Sequence, residues 1–168
     1  DKPENFFAQF GTDPDEFPKV YPEMQLPPDQ LAAWQRDRAG VIVSDELAQK
    51  YGWKVGDRIV LQGTIYPVNL ELTIRGIFHW PTTNKTVYFN AKYVEEAVAF
   101  FKGQAGTFSI MSQSPDDVAR IASAVDDMFR NSPQPTKTES EKAFGLSFVN
   151  MLGNVKAFIL SICLAVVF

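Results

Sequence analysis

One cysteine, Cys163, and one histidine, His79, are all that 168 residues hold of the two side chains most used in redox, metal and nucleophilic chemistry. A disulfide needs two thiols, so none can form within the chain, and a cysteine–histidine zinc cluster lacks its ligands. Nucleophile–base pairs built on histidine are reduced to the surroundings of His79. Basic runs are missing too: 16 Lys and Arg stand against 20 Asp and Glu, a formal net charge of -4. This speaks against a nucleic-acid partner, whose affinity comes chiefly from phosphate neutralisation. Gly52, Gly56 and Gly63 are spaced for turns and lack the following Lys-Ser/Thr of a phosphate-cradling loop. No catalytic, cofactor-binding or metal-ligating residue is assigned, and no cofactor is expected in this chain.

What remains is the composition of an ordinary globular domain, 45% hydrophobic and 21% charged. Both ends have the look of cuts. The chain opens at Asp1 with no charged-then-apolar leader, so no signal peptide is read. It closes in an apolar run, residues 157–168 (AFILSICLAVVF), in which Ser161 and Cys163 hardly make a polar stripe. At about 1.5 Å per residue that run reaches roughly 18 Å, short of the ~30 Å core of a bilayer. Two readings follow: a buried C-terminal helix, or the first half of a transmembrane helix. The second, favoured by the absence of a polar face, makes Ala157, Phe158, Ile159, Leu160, Ile162, Leu164, Val166, Val167 and Phe168 membrane-inserting.

Acidity is concentrated at the start, with eight acids and four bases in residues 1–38, a stretch also dense in proline. One short strand and short helices are expected there, including a helix over 29–38. Residues 41–43 form a β-branched run, and Ser44 can cap a helix that Gly52 terminates. Val55-Gly56-Asp57 reads as a turn before a strand at 58–61. Residues 70–74 alternate apolar and polar as a half-buried strand does, and Gly76 breaks the alternation as a bulge would. Another strand is expected at 86–89, then a helix capped by Asn90 that runs on toward Gly103. Residues 107–112 (TFSIMS) read as a strand. Ser114-Pro115-Asp116-Asp117 is a helix start, and Val118, Ile121, Val125 and Phe129 form the packing face of the helix behind it. A short strand at 136–138 would complete a β-α-β unit, and a long helix follows from about residue 139.

The polar candidates are weak. Asp116 with Asp117 and Asp126 with Asp127 are adjacent on a helix and point to different angles, so capping and a solvated face account for them. For His79, between Phe78 and Trp80, an ordinary loop position accounts as well as a functional one does. Asn84-Lys85-Thr86 matches a glycosylation acceptor pattern that is common by chance.

Residues 40–63 (GVIVSDELAQKYGWKVGDRIVLQG), followed by 72–78 (LTIRGIF) and 87–90 (VYFN), resemble the periplasmic core domain of MacB-like, FtsX-type ABC transporter permeases. The resemblance covers roughly residues 40–168, and the order of its pieces matters more than any single motif. It implies an α+β fold: an incomplete porter-like part at 1–38, a β-rich sabre-like subdomain at 39–90, a porter-like βαβ subdomain at 91–138, and a stalk helix entering the membrane at 139–168. It further implies a non-enzymatic domain outside the bacterial cell membrane, mechanically coupled to export or extraction of a substrate. ATP would be hydrolysed by a separate ABC ATPase subunit. The implied partners are the membrane, that ATPase, a second permease copy, and a periplasmic or outer-membrane protein. Two other classes stand beside this one. One is a soluble ligand- or protein-binding β-barrel module with a buried C-terminal helix, suggested by Lys54-Val-Gly-Asp-Arg-Ile59. The other is an enzyme whose carboxylates converge from distant segments, such as Asp57 and Glu71.

Overall fold

The computed structural model describes residues 7–63 and 68–147. The chain divides into two compact units, Asp1–Ser109 and Ile110–Phe168.

The first unit is built on a five-stranded mixed sheet: β1 (Ala8–Thr12), β2 (Gly40–Ser44), β3 (Arg58–Leu61), β4 (Leu70–Phe78) and β5 (Thr86–Asn90), in the spatial order β1-β5-β2-β4-β3. β1 runs parallel to β5 and β2 parallel to β4, while β5–β2 and β3–β4 are antiparallel. The sheet is open, with β1 and β3 at its edges. It takes strands from both the proline-rich opening segment and residues 39–90. Four helices accompany it: α1 (Phe17–Val20), α2 (Pro28–Arg36), α3 (Asp45–Tyr51) and α4 (Ala91–Ala97).

Central β2 is buried at all five positions, as expected for a strand covered on both faces. Val41 and Val43 point into one core with Leu47, Leu72, Ile74 and Val87. Ile42 points into the other, with Met24, Trp34 and Phe78. β4 serves both cores through a bulge. Val41 pairs with Ile74 but Ile42 pairs with Gly76, so Arg75 is the extra residue. Because side chains alternate with period two, one inserted residue moves everything after it to the opposite face. Ile74 therefore faces the first core, and Phe78 faces the second. Gly76 follows the bulge where α2 crosses closely, and a Cβ there would come within 2.8 Å of Leu26 Cδ1 and 3.1 Å of Ile42 Cγ2.

The capping signals fold as the sequence indicates. Ser44 Oγ accepts from Leu47 N at the start of α3, and Gly52 closes that helix at φ 69°. The Asn90 side chain accepts from Lys92 N at the start of α4. Two helices end earlier than their apolar spacing suggests. α2 stops where Asp37 turns extended and its carboxylate accepts from Ala39 N at 3.0 Å. α4 stops where Val98 turns extended, ahead of a single 3-10 turn at Ala99–Phe101.

In the second unit Ser114 caps a 3-10 turn, Pro115–Asp117, that leads into α5 (Val118–Phe129). Residues 141–147 are also helical, beginning after Ser140, whose hydroxyl accepts from Ala143 N. The β-α-β unit expected over 107–138 is not found. Residues 107–112 take no regular secondary structure and pair with no strand among the described residues, and Phe108, Ile110 and Met111 stand 78%, 56% and 61% exposed. Their β-favouring composition lacks the ladder partner that makes a strand. Residues 136–138 form no strand either, and Thr136 and Thr138 direct their hydroxyls to Asp126.

Candidate functional site

The site of greatest chemical interest lies at the C-terminal end of β4, where three segments separated in sequence converge. His79 forms an antiparallel bridge with Gln25: Gln25 N donates to His79 O and His79 N to Gln25 O, both at 2.9 Å. This fastens the proline-flanked segment before α2 to the sheet. From the other side, the first residue of α3 brings the Asp45 carboxylate within 2.6 Å of His79 Nδ1. An ionised carboxylate only accepts, so His79 Nδ1 donates to Asp45, and in the neutral imidazole that leaves Nε2 as an acceptor. Asp45 is itself oriented by Glu46 N, which donates to its other oxygen, Oδ1, at 2.8 Å.

An open groove of about 500 Å³ runs beside this pair, with Met24, Leu26, Pro27 and Ile77 supplying apolar lining and Asp45 and His79 the ionisable groups. Both ionisable side chains are about half exposed. No group of three or more His, Cys, Asp or Glu side chains able to hold a metal is present among the described residues.

Next to the groove, Asn84 N donates to Glu46 Oε1 at 3.0 Å, and Asn84 Oδ1 is buried without a hydrogen-bond partner. That burial of the amide carbonyl sets the Asn-Lys-Thr sequence apart from a freely exposed glycosylation acceptor. An aromatic run lies on the α2 side of the sheet. Phe10 stacks on Tyr88, Tyr88 meets Phe17 at 4.4 Å, Phe17 meets Tyr21 at 4.8 Å, and Tyr21 meets Trp80 at 5.6 Å.

No family model matches the chain, and no curated protein does. Among solved structures, the chain is similar to a domain from Porphyromonas gingivalis described as belonging to a permease protein. Identity is 16%, the TM-score is 0.45, and the match covers 75% of this chain and 54% of that one. The present chain therefore spans about half the length of that structure.

The other sequence-assigned residues fall as follows. Val118, Ile121 and Val125 are half-buried on α5 and Phe129 is 41% exposed, so no residue of that helix is buried. The membrane-inserting set from Ala157 to Phe168 lies outside the described residues, and so does the stalk helix beyond residue 147. Among the described residues no helix is long and apolar enough to cross a membrane. Asp57 closes the turn after α3, its Oδ2 accepting from Lys54 N at 2.8 Å. Asp117 pairs with Arg120 at 2.8 Å, and Asp127 pairs with Arg130.

Asp126 departs from the solvated-face reading. It accepts from Thr138 Oγ1 at 2.7 Å and from Thr136 Oγ1 at 3.2 Å, which ties residues 136–138 back to α5. The Thr138 side chain, then the Thr138 backbone, hold its carboxyl below the usual range. Neither this clasp nor the Asp45–His79 pair was visible in the sequence, since their partners lie 12 and 34 positions apart.

Proposed function

We propose that the chain is the extracytoplasmic domain of a transporter permease of the MacB-like, FtsX type, continuing into the membrane through residues 157–168. In this reading the sheet is the rigid body of the domain, and an ATPase on the far side of the membrane moves it by way of the C-terminal helix. No chemistry is assigned to the domain itself, and substrate transfer proceeds with a second permease copy and an outer partner.

The observation that carries the reading is the way the resembling run folds. Residues 40–63 and 72–78 make one contiguous block, β2-α3-β3-β4, with the Ser44 and Gly52 caps in place. The strand at its centre is covered on both faces, as a body that transmits displacement needs to be. The uncharged run at 157–168 then supplies the link to the bilayer.

Flotation on phospholipid vesicles tests the membrane arm of the proposal. The full chain is expected to float with the vesicles, and a chain ending at Asn154 to remain at the bottom of the gradient. Equal behaviour of the two would remove the membrane link.

The reading as a ligand-binding module rests on a different observation, the preformed groove beside His79 and Asp45.

A further inference from the structure

The groove at the end of β4 has three properties that together select a ligand. Its walls are fixed before anything binds, because the two Gln25–His79 backbone hydrogen bonds and the Asp45–His79 contact lock the segment before α2, the end of β4 and the start of α3 to one another. Its lining is about evenly apolar and polar, Met24, Leu26 and Ile77 standing beside Gln25, Asp45 and His79. Its fixed charge is negative: Asp45 presents carboxylate oxygens, His79 when neutral offers the lone pair of Nε2 beside them, and the Gln25 amide both donates and accepts. No residue lining the groove is Lys or Arg. Glu46, the neighbouring acid on α3, is engaged by Asn84 N.

A donor-bearing ligand would find acceptors and a negative charge there, whereas an anion would find no Lys or Arg. We infer that this groove is a binding site for a compact organic amine with an apolar body, its ammonium placed at the Asp45–His79 pair and its apolar part against Met24, Leu26 and Ile77. A charge-assisted hydrogen bond to the pair is the orienting contact, and the apolar lining adds area-dependent affinity. This inference is independent of the permease proposal, since the groove belongs to the described sheet and needs no membrane.

His79 is the single histidine, so its imidazole gives one unambiguous set of carbon–proton resonances in the spectrum of the full chain. Three probes share a phenyl body and differ in the head: 2-phenylethylamine, 2-phenylethanol and 3-phenylpropionate. Titration with the amine is expected to shift the His79 resonances together with the Met24 and Ile77 methyls along one saturable curve. The alcohol should bind more weakly and the carboxylate should leave all three unmoved. Asp45→Asn, which preserves size and removes the charge, should weaken the amine about tenfold, a difference of about 1.4 kcal/mol, while leaving the alcohol nearly unaffected. Three outcomes would overturn the inference: equal shifts from all three probes, tighter binding of the carboxylate, or an amine effect confined to His79 with the Met24 and Ile77 methyls still. Wild-type discrimination among the probes decides the matter even if Asp45→Asn folds poorly.

Discussion

Arg75 donates from Nε to the Asp37 carboxylate at 2.6 Å, and Arg75 is the residue that the β4 bulge leaves unpaired between Ile74 and Gly76. The bulge thus frees a side chain at the level of the α2 terminus, and Asp37 uses one oxygen on it and the other on Ala39 N. Gly40 sits in the same corner, where a Cβ would come within 2.9 Å of Asp37 O and 3.2 Å of Arg75 Cγ.

The two partners are therefore unequal. Arg75→Ala removes a partly exposed ion pair and should cost about 0.5–1 kcal/mol. Asp37→Ala also strips the turn after α2 of its acceptor and should cost about 1–2 kcal/mol. Urea unfolding of the two variants in parallel gives the comparison, and an Arg75 variant as destabilised as the Asp37 variant would mean that the turn contributes little.

The sequence disclosed those parts of the fold whose signals are local. β2, α3 and its caps were legible because Ser44, the β-branched run before it and Gly52 each act within a few residues. The strand at 70–74 was legible from its alternation, and the bulge from Gly76. Pairing was not legible. Residues 107–112 carry a strand's composition without a ladder partner, whereas β1, which contains Gly11, holds its place through parallel register with β5 more than seventy positions on. The groove was invisible for the same reason, since Asp45, Gln25 and His79 come together only once β4 has passed between α2 and α3.

Burial separates the two units energetically. Ile42 is fully buried at the centre of the sheet, and Ile42→Ala should cost about 2–5 kcal/mol. Ile121 on α5 is only half-buried, so Ile121→Ala should cost about 1 kcal/mol. Chemical denaturation of both variants tests the ordering. A large loss at Ile121 would show that α5 is docked far more tightly than its exposure indicates.

Asp126 makes the second unit sensitive to acid. Its carboxyl titrates lower in the folded chain than in the unfolded chain because the Thr138 side chain and backbone, joined by Thr136, stabilise the anion. Its contribution is present above the unfolded value and disappears as pH falls through the folded one. Wild type should thus be more stable than Asp126→Asn at neutral pH, and the gap should close on acidification. Melting curves across the acid range check this, and a gap independent of pH would contradict the clasp.

The central claim, that the apolar run at the end of the chain lies in a membrane, is tested most directly by Cys163, the single thiol of the chain and a member of that run. In intact cells or spheroplasts expressing the chain within its membrane, a membrane-impermeant maleimide should leave Cys163 unlabelled until detergent is added. A cysteine introduced at Val60, 58% exposed on edge strand β3, should be labelled from outside without detergent. Labelling of Cys163 before detergent, at a rate equal to that of the Val60→Cys thiol, would place the run in water and contradict the account.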